Sequence, residues 1–346
     1  MFDTWYDGPH HSSLDSSANQ LGPEYLVGDT GLSHDATRTG GSTHLKGSAP
    51  APTLVGSPGG LQFDLIWDSS VASAPSGFTQ AIIDAATYFT TLFSTHAVIN
   101  IHVGWGEIAG QSISSSALGE SESYGNIVPY SSVANALTNT PSAGNEPTGS
   151  QFFVTTAEAK AFGWISGTST STDGYIGFGT LSRTGYSWNF NATSSAGYHT
   201  GTGTSQFDLE AVAWHEISEV MGRIGMEGAT MNGGATYTPL DLFNFQNAGV
   251  LELSGNGGYF SINNGSSGIG NFNNATANGG DIADWASSAS ATTQSGTTMP
   301  SLPSGNYSDA FDAFGWPGYN GVVSQSDIQE LAALGYSLSS AGIATA

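Results

Sequence analysis

Apolar residues alternate with other residues over positions 61–68, which is the two-residue period of a β-strand. Over 76–94 the apolar residues recur every three or four positions, so this segment is predicted to form an amphipathic helix. Residues 97–108 return to a strand-like pattern. A strand, a helix and a strand of these lengths are typical of a βαβ unit, in which the two strands are parallel neighbours.

Two later helices are marked by their start and stop residues. A long helix is predicted over 206–224, where Ser205 and Asp208 form a start signal related to the capping box. A short last helix is predicted with Ser326 as its N-cap and Gly335 as its stop. Short β-like runs are found at 150–156, 174–180, 187–193, 249–253 and 258–264.

These patterns predict one α+β domain over 59–345. Its core is expected to be a mixed, twisted sheet that carries two long helices, followed by an irregular C-terminal part closed by a short helix. Residues 1–58 are rich in Gly, Ser, Thr and Pro and show no sustained period. We therefore expect them to form a flexible N-terminal arm or a propeptide-like segment.

Composition limits the possible partners. The chain of 346 residues has 5 Lys and Arg against 28 Asp and Glu, a formal net charge of −23. Such a chain is repelled by nucleic acid and by anionic membrane surfaces, and no apolar run is long enough for membrane insertion. An acidic, lysine-poor composition favours a secreted protein, although no signal peptide is visible. The absence of cysteine leaves His, Asp and Glu as the strong metal ligands.

One stretch of the second long helix carries candidate chemistry. His215 and Glu219 are four residues apart, so their side chains point the same way, and Glu216 lies beside them. Two ligands across one helical turn and a neighbouring carboxylate as general base are the elements of a metal-dependent hydrolase. Gly222 would let the chain turn away from the site. The alternative is a solvated helix face on which Arg223 neutralises Glu219.

This helix and the segments around it resemble a family of bacterial secreted metalloproteases with a metzincin-like HExxE/HExxH zinc helix. The resemblance implies a metzincin-like core, a bound divalent metal (zinc), a peptide or protein substrate, and Glu216 as general base. Where metzincins carry their second and third histidines, this chain has Glu219 and Gly225. The resemblance spans about 60–338 and is carried by "DGYIGF", "FDLEAVAWHEISEVMGRIG", "YTPLDLFNF", "GDIADWA" and "SDAFDAFGWPGYNGVVSQSDIQELAALGY".

A carboxylate can bind zinc, but the helix then supplies only two ligands and a third must come from elsewhere. Asp241 is the first candidate, because it is a single acid in an otherwise apolar segment. Its alternative role is to cap a turn or helix after Pro239. His199 and His102 are further candidates, and Tyr237 is a candidate oxyanion partner. One histidine and two carboxylates would cancel the charge of a divalent ion and so weaken its ability to acidify water.

Two further pairs of acids suggest calcium. Asp281 and Asp284 lie among Gly and Asn, and Asp309 and Asp312 lie close together, so that each pair could supply oxygens to a loop-bound ion. The alternative is that these residues bond their own backbone in turns. Two functions are therefore compatible with the sequence. One is a secreted metal-dependent endopeptidase, and the other is a catalytically inactive, calcium-stabilised extracellular binding or surface-layer module on a protease fold.

Overall fold

The predicted βαβ unit is confirmed. Leu61–Trp67 and Ala97–Trp105 are parallel neighbouring strands, and the helix Phe78–Leu92 lies between them in the chain. The structure is a computed structural model that describes residues 24–28, 48–113, 117–137, 147, 151–182, 185–190, 200–286 and 306–346.

Nineteen strands and seven helices occur in these described segments. The strands are β1 (Glu24–Gly28), β2 (Thr53–Val55), β3 (Leu61–Trp67), β4 (Ala97–Trp105), β5 (Glu107–Ile108), β6 (Gln111–Ser112), β7 (Gly119–Pro129), β8 (Gln151–Thr155), β9 (Gly174–Phe178), β10 (Ser187–Asn189), β11 (Gln206–Asp208), β12 (Ala229–Met231), β13 (Gly234–Tyr237), β14 (Asn244–Asn247), β15 (Val250–Leu251), β16 (Gly258–Phe260), β17 (Gly270–Phe272), β18 (Tyr307–Asp309) and β19 (Asn320–Val322). The helices are α1 (Phe78–Leu92), α2 (Tyr130–Ala136), α3 (Thr156–Ala161), α4 (Leu209–Val220), α5 (Ala275–Asn278), α6 (Gln325–Ala333) and α7 (Ser340–Thr345).

A mixed sheet of nine strands forms the largest layer, in the order β12-β13-β8-β7-β9-β4-β3-β2, with β1 also paired on β7. The pairs β3–β4, β4–β9 and β8–β13 are parallel and the others are antiparallel. Helix α1 packs on β2 and β3, α4 packs on β7 and β9, and the two helices contact each other. The fold is therefore α+β with a large mixed sheet, as predicted.

The sheet includes two segments that the sequence assigns to the N-terminal arm. Strand β1 pairs antiparallel with β7, and β2 pairs antiparallel with β3. Val27 and Val55 bury their side chains there. These runs are only five and three residues long, which is too short for a period to show in the sequence.

The second long helix begins later and ends earlier than predicted. Residues 206–208 form β11, which pairs parallel with β10, and α4 begins at Leu209. Asp208 is its N-cap and accepts a hydrogen bond from the Ala211 amide, so Ser205 is not the cap. Five apolar residues recur at helical spacing along this stretch of the sequence and form a buried stripe: Leu209, Ala213, Ile217, Val220 and Ile224.

The last helix begins two residues earlier than predicted. Helix α6 begins at Gln325, and its capping box is formed by Ser324 and Asp327 rather than by Ser326. Gly335 has a φ of +96° and lies just after the helix end, as predicted.

The C-terminal part is less irregular than expected, because it contains an antiparallel sheet in the order β15-β14-β16-β17. Among the described residues, no helix has the length and apolar character that crossing a bilayer requires.

Gly222 lies just after the end of α4, in a backbone conformation that residues with a side chain rarely adopt. Its φ is +114°, and a Cβ there would overlap the buried side chain of Glu158. Gly228 also has a positive φ, +81°, but a Cβ there would meet nothing. The two positions therefore share a backbone penalty but differ in their surroundings.

We predict that Gly222→Ala lowers the free energy of unfolding by about 3 kcal/mol or more, because overlap adds to backbone strain. Gly228→Ala is the matched control and should cost only about 1 kcal/mol. Urea denaturation measures both. Equal losses in the two variants would contradict the close packing of the turn against Glu158.

Candidate metal centre

Helix α4 is seated on strand β7 through small residues. Gly119, Ser121 and Ser123 are two residues apart, so they share one face of the strand. A Cβ on Gly119 would overlap the carboxylate of Glu216. The Ser121 hydroxyl donates to Glu219 Oε2 at 2.8 Å. The sequence of β7 thus allows close approach of the helix and orients one of the predicted ligands.

Three residues of the described chain form a group that could hold a metal ion: His215, Glu219 and Asp284. The His215 Nε2 atom lies 3.2 Å from Glu219 Oε1 and 3.3 Å from Asp284 Oδ1. The three ligand atoms all lie within 4.8 Å of one another. The side chains of the two acids are 1% and 3% exposed, whereas that of His215 is 17% exposed. Solvent therefore reaches the group on the histidine side.

These distances fit a zinc ion. Atoms that bind zinc tetrahedrally at about 2.0–2.2 Å lie about 3.3–3.6 Å from one another. Charged N–H···O bonds are usually shorter, at about 2.7–2.9 Å. The two distances from His215 Nε2 are compatible with metal ligands, and also with one N–H shared between the two acids.

His215 is oriented as a metal ligand would be. Its Nδ1 lies 2.9 Å from the carbonyl oxygen of Ala310, which can only accept a hydrogen bond. Nδ1 therefore carries a proton, and in the neutral ring Nε2 has the free lone pair. A metal-binding histidine commonly donates its second ring N–H to a backbone carbonyl in this way.

Asp284 is brought to the helix by its neighbour Trp285. The Trp285 amide donates to Phe311 at 2.8 Å, and its indole N–H donates to Asp327 at 2.7 Å. Trp285 is 2% exposed and stacks on Phe272, with ring centroids 5.1 Å apart. The aspartate is thus fixed by the packing of the tryptophan beside it.

Arg223 is a fourth member of the cluster. Its guanidinium donates to Asp284 Oδ1 and lies 3.3 Å from Glu219 Oε1. The pairing of Arg223 with Glu219 was the alternative interpretation of the motif, and it is present in the structure. However, Arg223 is fully buried, so this is not a solvated helix face.

The charges of the cluster stabilise one another. Burial alone would lower the pKa of His215, but Asp284 and Glu219 outweigh it and hold this pKa well above its usual value. Burial alone would raise the pKa of Asp284, but His215 and Arg223 lower it to about 2. In the absence of an ion, the protonated form of His215 is therefore favoured, and its Nε2 proton would face the two acids. An ion that binds Nε2 must displace this proton.

Asp241, the predicted third ligand, lies outside the group. Its carboxylate accepts hydrogen bonds from the amides of Thr238 and Met226, at 2.7 Å and 3.1 Å. It lies in a short 3₁₀ helix, Leu240–Phe243, directly after Pro239. The structure therefore matches its alternative role, which is to hold a turn, and Asp284 takes the place beside His215.

The other candidates are also placed elsewhere. His102 bonds Asp68 at 3.0 Å and packs on Tyr175, with ring centroids 5.1 Å apart. Tyr237 lies on β13 and packs on Phe152, and the acids that raise its pKa, after burial, are Asp241 and Glu227. His199 lies outside the described residues.

Glu216, the predicted general base, is 4% exposed and faces Gly119 on β7. It lies on the same helical turn as His215 but is not a member of the three-ligand group. Its role as a base therefore stays a prediction.

Of the two predicted calcium pairs, Asp281 and Asp284 make separate contacts, whereas Asp309 and Asp312 stay in contact, with the Asp312 amide donating to the Asp309 carbonyl at 3.3 Å. Asp281 accepts from the Ala283 amide in a turn, while Asp284 joins His215. Asp309 accepts from the Phe311 amide, and burial raises its pKa and that of Asp312. Within the described residues, Asp281, Asp309 and Asp312 belong to no group of three metal-binding side chains, and Asp284 belongs only to the group with His215 and Glu219. Calcium binding stays a prediction.

The sequence contains one signal that points to Asp284. It precedes a tryptophan in a Gly- and Asn-rich segment, and a buried tryptophan holds its chain neighbours in place.

In comparisons with known proteins, the chain matches no protein-family model, no curated protein and no solved structure. The resemblance to secreted metalloproteases thus stays a prediction, and the function must be argued from the site.

Asp241 and Glu227 form a second buried acidic pair. Burial raises the pKa of Asp241 to about 7 and that of Glu227 well above its usual value. A raised carboxyl pKa favours folding below the unfolded pKa of about 4, and this stability is lost as the pH rises through about 7.

We predict that the free energy of unfolding falls between about pH 4 and pH 7, by about 1.4 kcal/mol per pH unit for each proton involved. Asp241→Asn should have a shallower slope because it removes one such group. Thr236→Val is the control, since it deletes a buried hydroxyl that accepts a hydrogen bond from the Met231 amide at 3.0 Å and leaves the carboxylate in place. Urea denaturation at several pH values measures the slopes, and an unchanged slope in Asp241→Asn would contradict the prediction.

Proposed function

We propose that this protein is a metal-dependent endopeptidase whose zinc ion is held by His215, Glu219 and Asp284. The proposal is carried by one observation, the distances of 3.2 and 3.3 Å from the histidine nitrogen to the two carboxylate oxygens. It is supported by the backbone bond that leaves Nε2 as the metal-binding nitrogen. We also propose that α4, the mixed sheet beneath it and the turn at Gly222 correspond to a metzincin-like core.

A zinc ion in this position would supply Lewis-acid activation of water and of a peptide carbonyl. His215 and the two acids would orient it, and Ser121 would orient Glu219 in turn. Glu216 is the residue of the chain that would accept the proton of the attacking water. A net charge of −23 repels anionic substrates, which favours a peptide over a nucleic acid. The acidic composition also supports secretion.

The metal content of the purified protein tests this proposal. We expect about one zinc per chain, retained in His102→Ala and Asp281→Asn and lost in His215→Ala and Asp284→Asn. The first two variants are matched controls, because they remove the same kinds of side chain outside the group. Inductively coupled plasma mass spectrometry gives the stoichiometry. If the wild-type protein contained no bound transition metal, the proposal would be wrong.

Proteolysis tests the role of Glu216 separately. Glu216→Gln keeps the shape of the side chain and should reduce kcat/KM on an unfolded protein substrate by about 100-fold or more, because the general base is lost. Its zinc content should stay that of the wild type. Unchanged proteolysis would show that another residue accepts the proton.

A second candidate function is favoured by one specific observation, the pairing of Arg223 with both acids. With His215 protonated, two cations already face two carboxylates, and the cluster is balanced without an ion. A catalytically inactive, calcium-stabilised extracellular module would have this property. In that case the thermal unfolding temperature should rise with calcium, and no transition metal should be found.

A further inference from the structure

Arg223 contacts the same carboxylate oxygens that would hold the ion. Its guanidinium donates to Asp284 Oδ1 and lies 3.3 Å from Glu219 Oε1. These are also the two oxygens nearest His215 Nε2. The chain contains only 5 Lys and Arg, and this one is fully buried in the site. An ion that binds here must therefore share both of its carboxylates with a fixed cation.

Arg223 is held by contacts that do not involve the ligand oxygens. Its Nε donates to the Ser218 hydroxyl at 2.7 Å, and a terminal nitrogen lies 3.4 Å from the Ala283 carbonyl. The guanidinium also lies over the Phe311 ring, 4.5 Å from its centroid. These partners come from three separate segments, so Arg223 cannot withdraw from an arriving ion without losing all of them.

An acidic side chain of α6 also interacts with Arg223. Glu330 is fully buried, and neither of its carboxylate oxygens has a hydrogen-bond partner among the residues that the structure describes. Burial raises its pKa well above the usual value, and Arg223 is the main influence in the opposite direction. The arginine thus stands as counter-charge to Glu219 and Asp284, whereas Glu330, whose raised pKa favours its neutral form, adds little to this charge balance.

We propose that Arg223 is a resident cation that holds Glu219 and Asp284 in their ligand positions before the ion binds, and that its charge lowers the affinity of the site for the ion. This inference rests on the metal centre proposed above. A divalent ion, one arginine and two carboxylates leave a net charge of +1 around a neutral histidine. The site is therefore more electron-withdrawing than one histidine and two carboxylates alone, which would cancel the ion's charge.

Two effects of removing Arg223 act in opposite directions on ion binding. The loss of its hydrogen bonds loosens the ligands, which weakens binding. The loss of its charge removes repulsion inside a site shielded from water, where charges interact strongly. It also leaves buried carboxylates without a counter-charge, and a divalent ion supplies one. The charge effects outweigh the loss of positioning, so a variant without Arg223 should bind the ion more tightly.

The test is zinc affinity, measured by competition with a chromophoric chelator, in wild type, Arg223→Gln and Arg223→Lys. We expect the zinc Kd of Arg223→Gln to fall by about tenfold or more, whereas Arg223→Lys keeps the charge and should stay within about threefold of wild type. Lys160→Gln is the control. It removes the other buried cation of the described chain, which pairs with Asp173, and should leave the Kd unchanged.

Each outcome of this experiment either supports or overturns the inference about Arg223. A Kd that is unchanged or higher in Arg223→Gln overturns the inference while leaving the metal centre intact. If Arg223→Gln is unfolded without metal, it should refold with zinc by circular dichroism, and failure to refold also overturns the inference. Zinc binding by Arg223→Gln but not by wild type would support the resident cation and refute the proposed function. No binding by either protein refutes both.

Discussion

The buried charge network around Arg223 joins parts of the chain that share little regular secondary structure. His215 and Glu219 come from α4, Arg223 comes from the turn after it, and Asp284 comes from a loop far along the chain. A buried charge is tolerated only when a partner faces it. The loop at Asp284 and the strand region near Phe311 must therefore stay against the helix, which explains how a Gly- and Asn-rich segment is fixed in one position.

The interior of this protein contains more carboxyl groups than cations. Glu158, Asp327 and Glu330 are fully buried, and burial raises the pKa of each well above its usual value. The neutral form of these acids is thus more favoured than that of exposed acids, although the formal net charge is −23. An acid-rich interior of this kind is stabilised by protons or by bound cations, and two further buried acids, Asp312 and Glu330, interact with His215 and Asp284 of the candidate metal centre.

The sequence predicted two of the three residues of the site, His215 and Glu219. The i, i+4 spacing of His215 and Glu219 correctly placed both on one side of a helix, because that relation follows from helical geometry alone. The third member could not be found in this way. Asp241 and Asp284 both stand in segments without a clear period, and only the packing of Trp285 against Phe272 decides which acid reaches the helix. The pairing of Arg223 with Glu219 was foreseen, but its burial was not.

Local periodicity determined the elements that need no distant partner: the β3-α1-β4 unit, the buried stripe of α4 and the turn at Gly222. It misplaced the caps of α4 and α6, since several Ser and Asp residues stand near each start and tertiary contacts select among them. Tertiary structure alone decided that short N-terminal runs join the sheet and that Asp284 meets His215. The physical reason is that spacing along the chain records which face of an element is buried, whereas the partner of a buried charge is set by the packing of segments far apart in sequence.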